Sequence, residues 1–256
     1  MNFKGKVAVV LGASAEGGIG WATAAAFAAF GAKVLIGARR KAPLQALADK
    51  IGADAMVCDG GREDDIIAFA KQAAKLYGKI DFAVNSAGLP TNDSISTSTA
   101  KSLQPALDVN FIGNVLFTRY MAEIMNDGGA ITLISSTAVD RTMPPNFSYS
   151  CAKAATECMT RYAALEYGGR GIRVNAIIPG FIITDLTSPM TKMPGVVEAF
   201  AREVPMGRAG YPKDIAEVIM WLSGPSYITG VSLPVSGGNQ LTRLPRMDEM
   251  SISSPV

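Results

Sequence analysis

The feature that most constrains the fold of this chain is a regular alternation of short apolar runs with longer helical patterns. The apolar runs predict strands at Lys6–Val10, Lys33–Ile36, Ala55–Cys58, Phe82–Asn85, Ala130–Ser135, Arg173–Ile178 and Ser232–Val235. The segments between them predict helices at Gly20–Phe30, Pro43–Ile51, Glu63–Tyr77, Ala100–Met125, Ser148–Tyr167, Val196–Glu203 and Pro212–Leu222. Because strands separated by helices form βαβ units, we expect an α/β fold whose parallel sheet has about seven strands and helices on both faces.

Nothing in the sequence divides the chain into separate units, since no linker, repeat or low-complexity segment interrupts this alternation. We therefore predict a single domain over residues 1–256. The segment 184–206, which contains prolines and methionines, is predicted to form a mobile lid over a substrate. Residues 241–256 are predicted to form a C-terminal tail with little order.

The sequence contains no histidine. This excludes the serine and cysteine triads that need a histidine base, and every metal site with a histidine ligand. If the chain is an enzyme, its proton transfer must then depend on tyrosine, lysine, serine, a carboxylate or a cofactor. The cysteines Cys58, Cys151 and Cys158 lack the spacing of a zinc site, and we predict no metal. We expect these cysteines to be free, buried thiols in a reducing cytoplasm.

Charge and hydropathy exclude two further classes of partner. The 24 basic and 22 acidic residues leave a net charge of +2, which favours neither a nucleic-acid nor an anionic-membrane surface. The apolar run Val7–Leu11 is too short for the core of a signal peptide, and no run approaches the ~18 apolar residues of a membrane span. We therefore expect a cytoplasmic protein.

A glycine-rich turn, with the sequence GASAEGGIG from Gly12 to Gly20, joins the first predicted strand to the first predicted helix. Glycines at such a turn let a pyrophosphate approach the helix N-terminus, where free N–H groups and the helix dipole favour anions. A purely structural turn is the alternative. The position between a strand and a helix favours dinucleotide binding.

The end of the second predicted strand indicates which dinucleotide is bound. Folds of this kind that prefer NAD usually place an acidic residue there, which bonds the ribose 2′-hydroxyl. In this chain the position is occupied by Arg39 and Arg40, and guanidinium groups pair well with a 2′-phosphate. A solvated positive surface is the alternative. We predict that the cofactor is NADP(H).

A candidate acid–base group lies on the second long helix, where Tyr149 and Lys153 are four residues apart and share a face. The ordinary pKa of tyrosine is about 10, and a fixed ammonium nearby stabilises the phenolate and lowers that pKa. Taken alone, this spacing is also common on exposed helix faces. Ser136 ends the preceding apolar strand, at the sheet edge where ligands bind, and Asn110 is a poor helix former inside a predicted helix.

Together these residues resemble the short-chain dehydrogenase/reductase family in its common single-domain type, from about Lys4 to Gly238. The shared motifs stand in the family's order and spacing: the glycine-rich turn, Asp59 after the third strand, the NSAG segment from Asn85 to Gly88, Asn110, Ser136, Tyr149 with Lys153, Pro179-Gly180 with Thr184, and the ITG segment from Ile228 to Gly230. The resemblance implies a Rossmann-type doubly wound parallel sheet and an NADP(H)-dependent oxidoreductase.

The resemblance also implies a role for each matching residue. Tyr149 would be the general acid in carbonyl reduction and the base in alcohol oxidation, while Lys153 would lower its pKa and hold the nicotinamide ribose. Ser136 would hydrogen-bond the substrate oxygen, and Asn110 would support a water-linked proton path to Lys153. The other cofactor-binding residues it implies are Gly12, Ser14 and Ile19 at the phosphates, Asp59 and Gly60 at the adenine, Asn85, Ala87 and Gly88 at the adenosine and linking ribose, and Pro179, Gly180, Ile182 and Thr184 at the nicotinamide.

The chain departs from the family pattern at several places. Leu11 stands where the family usually has threonine, and two extra residues widen the glycine-rich turn. Ser86 replaces the second asparagine of the usual NNAG. The segment from Leu233 to Gly238 lacks the usual aspartate before its glycine pair, and the connection from Trp221 to Tyr227 is shorter than usual. The first departures bear on loop contacts and the last two on subunit packing.

Apolar side chains dominate the expected substrate end. The lid contributes Leu186, Met190, Met193, Val196, Val197 and Phe200, and the loop after Ser136 contributes Val139, Met143 and Phe147. They indicate a bulky hydrophobic ketone or secondary alcohol, unless they only pack the lid on the core. One alternative is reduction of a 3-oxoacyl thioester on an acyl carrier protein, for which Lys192 and Arg202 would be the basic contacts. Another is a non-catalytic NADP(H)-sensing protein.

The resemblance further implies an oligomer. The predicted helices over 100–125 and 148–167 resemble the pair through which the family dimerises, and the C-terminal strand region often forms a second interface. We expect a homotetramer, with a dimer as the alternative.

Overall fold

A computed structural model describes residues 1–250 of the chain. Within these residues, seven parallel strands form one sheet in the order β3-β2-β1-β4-β5-β6-β7. The strands are β1 (Val7–Leu11), β2 (Lys33–Ala38), β3 (Asp54–Val57), β4 (Ile80–Asn85), β5 (Met125–Ile134), β6 (Arg173–Pro179) and β7 (Ser232–Val235). The helices are α1 (Ile19–Ala29), α2 (Lys41–Ile51), α3 (Glu63–Tyr77), α4 (Ala100–Leu107), α5 (Gly113–Glu123), α6 (Phe147–Tyr167), α7 (Ser188–Thr191), α8 (Val196–Glu203), α9 (Pro212–Ser223) and α10 (Met247–Met250). The predicted α/β class and doubly wound sheet are confirmed.

The central strand β1 shows how the core is divided between the two faces of the sheet. Ala8 and Val10 pack with residues of α1, α2 and α9, whereas Val9 and Leu11 pack with residues of α3, α5 and α6. Successive side chains of a strand point to opposite faces. Because helices cover both faces, every position of β1 is buried, and the strand reads as an unbroken apolar run.

The strand order reverses at β1, and this reversal positions the site. β1 lies between β2 and β4, so the chain leaves it on one side and later returns on the other. Leu11 at the end of β1 pairs in register with Asn85 at the end of β4. In open parallel sheets ligands bind in the crevice beyond the carboxyl ends of the strands at such a point.

The long helix predicted over 100–125 is wrong as a single regular element. α4 ends at Leu107, a π-helical turn covers Asp108–Ile112, and α5 begins at Gly113. A side chain at Gly113 would overlap the carbonyl of Gly60, so this part of the helix lies directly against the loop after β3. Contacts with a loop from another part of the chain therefore decide the local helix geometry, as is common for π turns at functional sites.

The other differences between the predicted and the observed elements concern the residues at which they begin and the short helices. β5 begins at Met125, five residues before the predicted strand, and its pairing with β4 is irregular between Ile80 and Phe82. The lid segment contains α7 in addition to the predicted helix Val196–Glu203, whose bounds are those of α8. Within residues 1–250, no helix is long and apolar enough to cross a membrane.

The predicted C-terminal tail is ordered over most of its length. Residues 241–250 fold back onto the lid and end in α10, where Met250 is 6% exposed. The burial of this apolar side chain attaches the segment to α8. The last part of the predicted tail, residues 251–256, lies outside the described residues.

Candidate active site

A cavity of about 1000 Å³ opens at the carboxyl edge of the sheet. It extends from the glycine-rich turn after β1, past the ends of β4, β5 and β6, to the lid. The predicted site residues that line it are Gly12, Ser14, Ile19, Arg39, Arg40, Asp59, Gly60, Ala87, Gly88, Ser136, Tyr149, Lys153, Pro179, Gly180, Ile182 and Thr184. Two predicted residues, Asn85 and Asn110, do not line the cavity and are buried behind the residues that do.

The glycine-rich turn is packed backbone against backbone. A side chain at Gly12, whose φ is +89°, would overlap the backbone of Ser86 and Ala87, and one at Gly20 would overlap the carbonyl of Gly12. Gly18 precedes α1 and provides no side-chain cap for its first N–H groups. Those N–H groups are therefore available to an anion at the helix N-terminus.

The two arginines after β2 lie at the rim of the cavity beside this turn. Arg39 is exposed to solvent. Arg40 donates from Nε to the Ser14 hydroxyl at 3.3 Å and from Nη2 to the Ser14 carbonyl at 3.0 Å. The same Nη2 lies 3.9 Å from a carboxylate oxygen of Asp185, at the start of the lid. Arg40 thus connects the glycine-rich turn to the lid, and two positive charges face the same end of the cavity.

The loops after β3 and β4 form the next part of the wall. The Asp59 carboxylate accepts a hydrogen bond from the Gly61 N–H at 3.0 Å, and the Asp59 N–H donates to Asp65 at 2.9 Å. A side chain at Gly60 would lie 3.2 Å from the Ala87 Cβ. Asn85 shapes this wall from behind, because its amide oxygen accepts from the Ala87 N–H at 3.0 Å.

Lys153 is buried in the floor of the cavity. Its ammonium donates to the Ile134 carbonyl at the end of β5, at 2.6 Å, and lies 5.5 Å from the centre of the Tyr149 ring. The side chain is only 2% exposed. Burial lowers the pKa of Lys153 from its ordinary 10.5 to about 8, because a charged ammonium is poorly solvated there.

Tyr149 lies one helical turn before Lys153 on the same face of α6. Burial raises the pKa of Tyr149, and a hydrogen bond with the Ser136 side chain opposes this rise. From the sequence we expected Lys153 to lower this pKa. In the structure burial outweighs the opposing interactions, so the pKa of the phenol lies above its ordinary value and the phenol stays protonated at neutral pH.

Asn110 supports the site from the π-helical turn. Its side chain donates to the Leu89 carbonyl at 2.9 Å and accepts from the Leu89 N–H at 3.1 Å, which fixes the loop after β4. Its own carbonyl accepts from the Thr156 hydroxyl at 2.6 Å and from the Asn114 amide at 2.8 Å. Asn110 therefore ties the loop after β4 to α6 without reaching the cavity.

These features fit a nicotinamide dinucleotide. Gly12 and Gly20 let the turn pack backbone against backbone, where any larger side chain would clash, and the uncapped start of α1 offers N–H donors to a pyrophosphate. The comparisons with known proteins agree. A sequence model of the family described as Enoyl-(Acyl carrier protein) reductase matches residues 12–240.

The chain belongs to the short-chain dehydrogenase/reductase family. Carbonyl reductase family member 4 from Danio rerio is 32% identical over 92% of this chain and 98% of its own length. Galactitol 2-dehydrogenase (L-tagatose-forming) from Cereibacter sphaeroides is 35% identical over 91% of this chain and 94% of its own. The structure of a short-chain type dehydrogenase/reductase from Mycobacterium ulcerans has a TM-score of 0.92 at 27% identity, covering 98% of this chain and 95% of that one.

Two residues that support the active site of this dehydrogenase/reductase were missed from the sequence. Asp93 accepts a hydrogen bond from the Ser148 N–H at 3.1 Å, and the Thr91 hydroxyl accepts one from the Tyr149 N–H at 3.3 Å. They cap the start of α6 from the loop after β4. Burial raises the pKa of Asp93, but hydrogen bonds from Ser148 and Thr91 outweigh this effect and keep that pKa below its ordinary value. No local pattern in the sequence indicated them, because Asn146 is itself a favoured N-cap residue, yet its side chain makes no capping hydrogen bond.

The segment that the sequence predicts to hold the nicotinamide follows β6 and lines the cavity. A side chain at Gly180 would lie 2.9 Å from the Cβ of Ser236, so the loops after β6 and β7 lie in close contact. The Thr184 N–H donates to the Thr187 hydroxyl at 3.0 Å, and that hydroxyl donates to the Ile182 carbonyl at 2.7 Å. This network fixes the segment that leads into the lid.

The substrate end of the cavity is apolar. Of the predicted apolar residues, those that line it are Met143, Leu186, Met190, Met193, Val196 and Phe200. Val139, Phe147 and Val197 do not line it. The sequence reasoning missed Phe181, whose ring stacks on Phe200 with centroids 3.9 Å apart, and two residues of the C-terminal segment, Leu244 and Met250.

The prediction of free thiols is confirmed for the three cysteines, but the prediction that they are buried is correct only for Cys58. Cys151 and Cys158 are exposed on α6. They are seven residues apart and lie on the face of this helix that is turned away from the sheet. An amphipathic helix leaves such a face uncovered in the monomer.

Proposed function

We propose that this short-chain dehydrogenase/reductase is an NADPH-dependent enzyme that reversibly reduces a hydrophobic ketone to a secondary alcohol, with Tyr149 as the general acid and base. One observation carries the proposal. The Tyr149 phenol, the Ser136 hydroxyl and the Lys153 ammonium meet in one cavity, between a glycine-rich anion cradle and an apolar end.

The proton chemistry follows from the state of the phenol. Burial keeps Tyr149 protonated at neutral pH, and carbonyl reduction consumes that form, because the developing alkoxide takes up a proton. Ser136 would hydrogen-bond the same oxygen and oppose its growing charge. Lys153 would hold the nicotinamide ribose and replace the proton. When bound, the nicotinamide supplies the hydride for reduction and accepts it in oxidation.

We infer NADP(H) rather than NAD(H) from the rim of the cavity. Arg39 and Arg40 stand where an acidic residue would favour NAD(H), and both line the cavity. Arg39→Asp should reverse the ratio of kcat/KM for NADPH to that for NADH. Lys33→Asp, at the opposite end of β2, is the matched control and should leave that ratio unchanged. An Arg39→Asp variant that keeps the preference for NADPH would remove the basis for this assignment.

The apolar lining favours a hydrophobic ketone over a polyol. A sugar alcohol, such as the substrate named for the galactitol 2-dehydrogenase relative, would need hydrogen-bond partners at the end where Met190, Val196 and Phe200 lie. Apolar walls leave hydroxyl groups unpaired, which weakens binding. A 3-oxoacyl thioester remains the second candidate, because the matching family description names an acyl carrier protein.

A substrate panel tests these candidates. NADPH oxidation is measured with aryl ketones, cyclic ketones, 3-oxoacyl thioesters and a ketose, each at several concentrations. The proposal expects the highest kcat/KM among the simple ketones. A clear preference for the thioesters would replace it by the second candidate, and a preference for the ketose would contradict the argument from the apolar lining. Lack of turnover with all of them, together with tight NADPH binding, would favour a non-catalytic sensor.

We also propose a cytoplasmic homotetramer. Two separate surfaces expose apolar side chains, one on α6 with Tyr162 and Leu165, and one near β7 with Trp221 and Tyr227. Such patches on a folded chain commonly form interfaces. Sedimentation at micromolar concentration should give a tetramer, and Leu165→Glu or Tyr227→Glu should each reduce it to a dimer. A wild-type monomer would overturn the proposal.

A further inference from the structure

The C-terminal arm, residues 238–250, begins at Gly238 and packs against the lid helix α8. Its first turn is fixed by Asn239, whose amide donates to the Glu203 carbonyl at 3.3 Å and to the Arg243 carbonyl at 3.1 Å. The Thr242 hydroxyl donates to the same Glu203 carbonyl. Since Glu203 is the last residue of α8, the arm is attached to the end of the lid helix.

Charged groups attach the arm at further points. The Arg243 guanidinium lies 2.8 Å from the Glu203 carboxylate on α8 and 2.7 Å from the Glu249 carboxylate on α10. From the loop after β5, Arg141 donates to the Thr242 carbonyl at 3.1 Å and to the Gln240 carbonyl. The arm therefore bridges two segments that both border the substrate end of the cavity.

The inner side of the arm is apolar and closes that end. Met250 is 6% exposed and packs with Val196 and Phe200 of α8, and Leu244 packs against the same cluster. Both Leu244 and Met250 line the large cavity. The arm thus contributes two side chains to the wall that faces the substrate end.

Leu244 also lines a second cavity, of about 510 Å³, on the other side of this wall. Met143 and Pro144 line both cavities as well. These shared residues therefore lie between the two spaces and form a partition. The remaining lining of the second cavity includes Arg141 and Arg246, so its far side is polar.

We propose that the C-terminal arm sets the length of the substrate, with Leu244 and Met250 as specificity-determining residues. The proposal rests on the proposed function, because it takes the ligand at this end to be the apolar chain of a ketone. Ketones whose chain ends at the partition are accepted, and longer chains are excluded by Leu244. The arm decides which ketone binds and takes no part in proton or hydride transfer.

Ligand length tests the proposal directly. A homologous series of straight-chain methyl ketones is titrated calorimetrically into the full-length protein in the presence of NADP⁺, and kcat/KM with NADPH is measured for the same series. Each added methylene should strengthen binding by about fourfold while it is buried. Affinity should then stop rising at one chain length, which marks the partition.

Smaller and larger side chains at the partition should move the chain-length limit in opposite directions. Leu244→Ala and Met250→Ala are expected to move it to longer ketones, and Leu244→Phe to shorter ones. Leu241→Ala, in the same arm but 79% exposed and outside the cavity lining, is the control and should leave it unchanged. The affinity for NADPH should stay within about twofold of wild type in all variants, because the cofactor lies at the other end.

The possible results separate the two proposals. The role of the arm is overturned if the chain-length limit is the same in Leu244→Ala, Leu244→Phe, Met250→Ala and the wild type. It is also overturned if Leu241→Ala shifts this limit by as much as those variants do. If the limit moves as expected in the binding experiment while the ketones give no NADPH oxidation, the arm proposal stands and the proposed function fails. Absence of ketone binding to the wild type overturns both.

Discussion

The floor and the far wall of the large cavity are built by different kinds of contact. Lys153 on the floor and Asn110 behind it are buried, and directional hydrogen bonds hold their polar atoms. At the far wall, the lid and the arm offer apolar side chains, and some of them are largely open to solvent. Leu186 is 50% exposed and Met193 is 54% exposed.

Under the proposed function, this difference separates the groups that do the chemistry from those that select the substrate. Hydrogen bonds fix both distance and direction, so the floor holds its groups to within the tolerance that proton transfer needs. Apolar contacts have no preferred direction and adapt to several shapes, especially where methionine provides them. We therefore expect substitutions on the floor to change kcat, and substitutions at the wall to change KM and the size of substrate accepted.

The largest effect is expected from Tyr149→Phe. The substitution keeps the ring but removes the hydroxyl that we propose as the proton donor, so kcat should fall about 10²–10⁴-fold while the Kd for NADPH stays near the wild-type value. Steady-state kinetics and fluorescence titration measure the two quantities. Tyr162→Phe, on the exposed side of the same helix at 70% exposure, is the control. Nearly full activity in Tyr149→Phe would contradict the proposed mechanism.

The pH dependence of stability tests the burial of Lys153. The pKa of this lysine is about 8 in the folded protein and 10.5 ordinarily, so between these values the unfolded chain binds the proton that the folded chain has lost. Stability contributed by this position therefore rises with pH across that window and is flat below it. Relative to Lys153→Met, the wild type should gain about 2 kcal/mol of unfolding free energy between pH 7.5 and 9.5.

Urea denaturation of both proteins at the two pH values measures this gain. Lys101→Met, at an exposed position on α4, serves as the control and should show no such change relative to wild type. A difference between wild type and Lys153→Met that is independent of pH would mean that the ammonium is solvated, which would weaken the contrast between floor and wall.

The cap on α6 should have an intermediate effect. Asp93→Ala removes the acceptor for the Ser148 N–H, so Tyr149 loses a fixed helix start. We expect the unfolding free energy to fall by about 1 kcal/mol and kcat by on the order of tenfold, with the KM for NADPH unchanged. Asp93→Asn keeps an acceptor oxygen and should recover most of kcat, together with the wild-type pH profile of kcat.

A purely structural role for Asp93 predicts a different pattern. It would lower stability while leaving kcat and its pH profile unchanged in the folded fraction. Asp49→Ala, at an exposed position of α2 far from the cavity, is a matched control for removal of a carboxylate and should leave both kcat and its pH profile at the wild-type values.

The smallest effect is expected at the wall. Met193→Ala removes an apolar side chain that is half exposed, so the KM for a hydrophobic ketone should rise about fivefold with kcat unchanged. Met206→Ala, 66% exposed and outside the cavity lining, should leave both constants unchanged. A fall in kcat in Met193→Ala, with KM unchanged, would break the separation between floor and wall.

Local sequence was sufficient for part of the site. β1, the glycine-rich turn and α1 are consecutive in the chain, and only glycine fits the close approach at Gly12. Tyr149 and Lys153 are one helical turn apart, so their common face follows from helix geometry alone. The strand–helix alternation likewise predicted the parallel sheet, because both signals lie within single elements.

Contacts between distant residues decided the rest. Asn110 in the π-helical turn bonds Leu89 and Thr156, and the cap on α6 joins Asp93 to Ser148, 55 positions later. Asn85 carries a family motif, but its side chain supports the loop from behind because its oxygen bonds the Ala87 N–H. Such pairings leave no periodic pattern in the sequence, so periodicity could not reveal them.

The sequence by itself determined the sheet, the glycine-rich turn before α1 and the helix face that Tyr149 and Lys153 share, because each depends on residues close together in the chain. Only the tertiary structure decided the pKa of Tyr149 and the closure of the substrate end. Burial sets the first, and burial comes from every element packed around the side chain. The second requires the C-terminal arm to meet the loop after β5, with Arg141 and Thr242 separated by 101 positions, a contact that only the folded chain brings about.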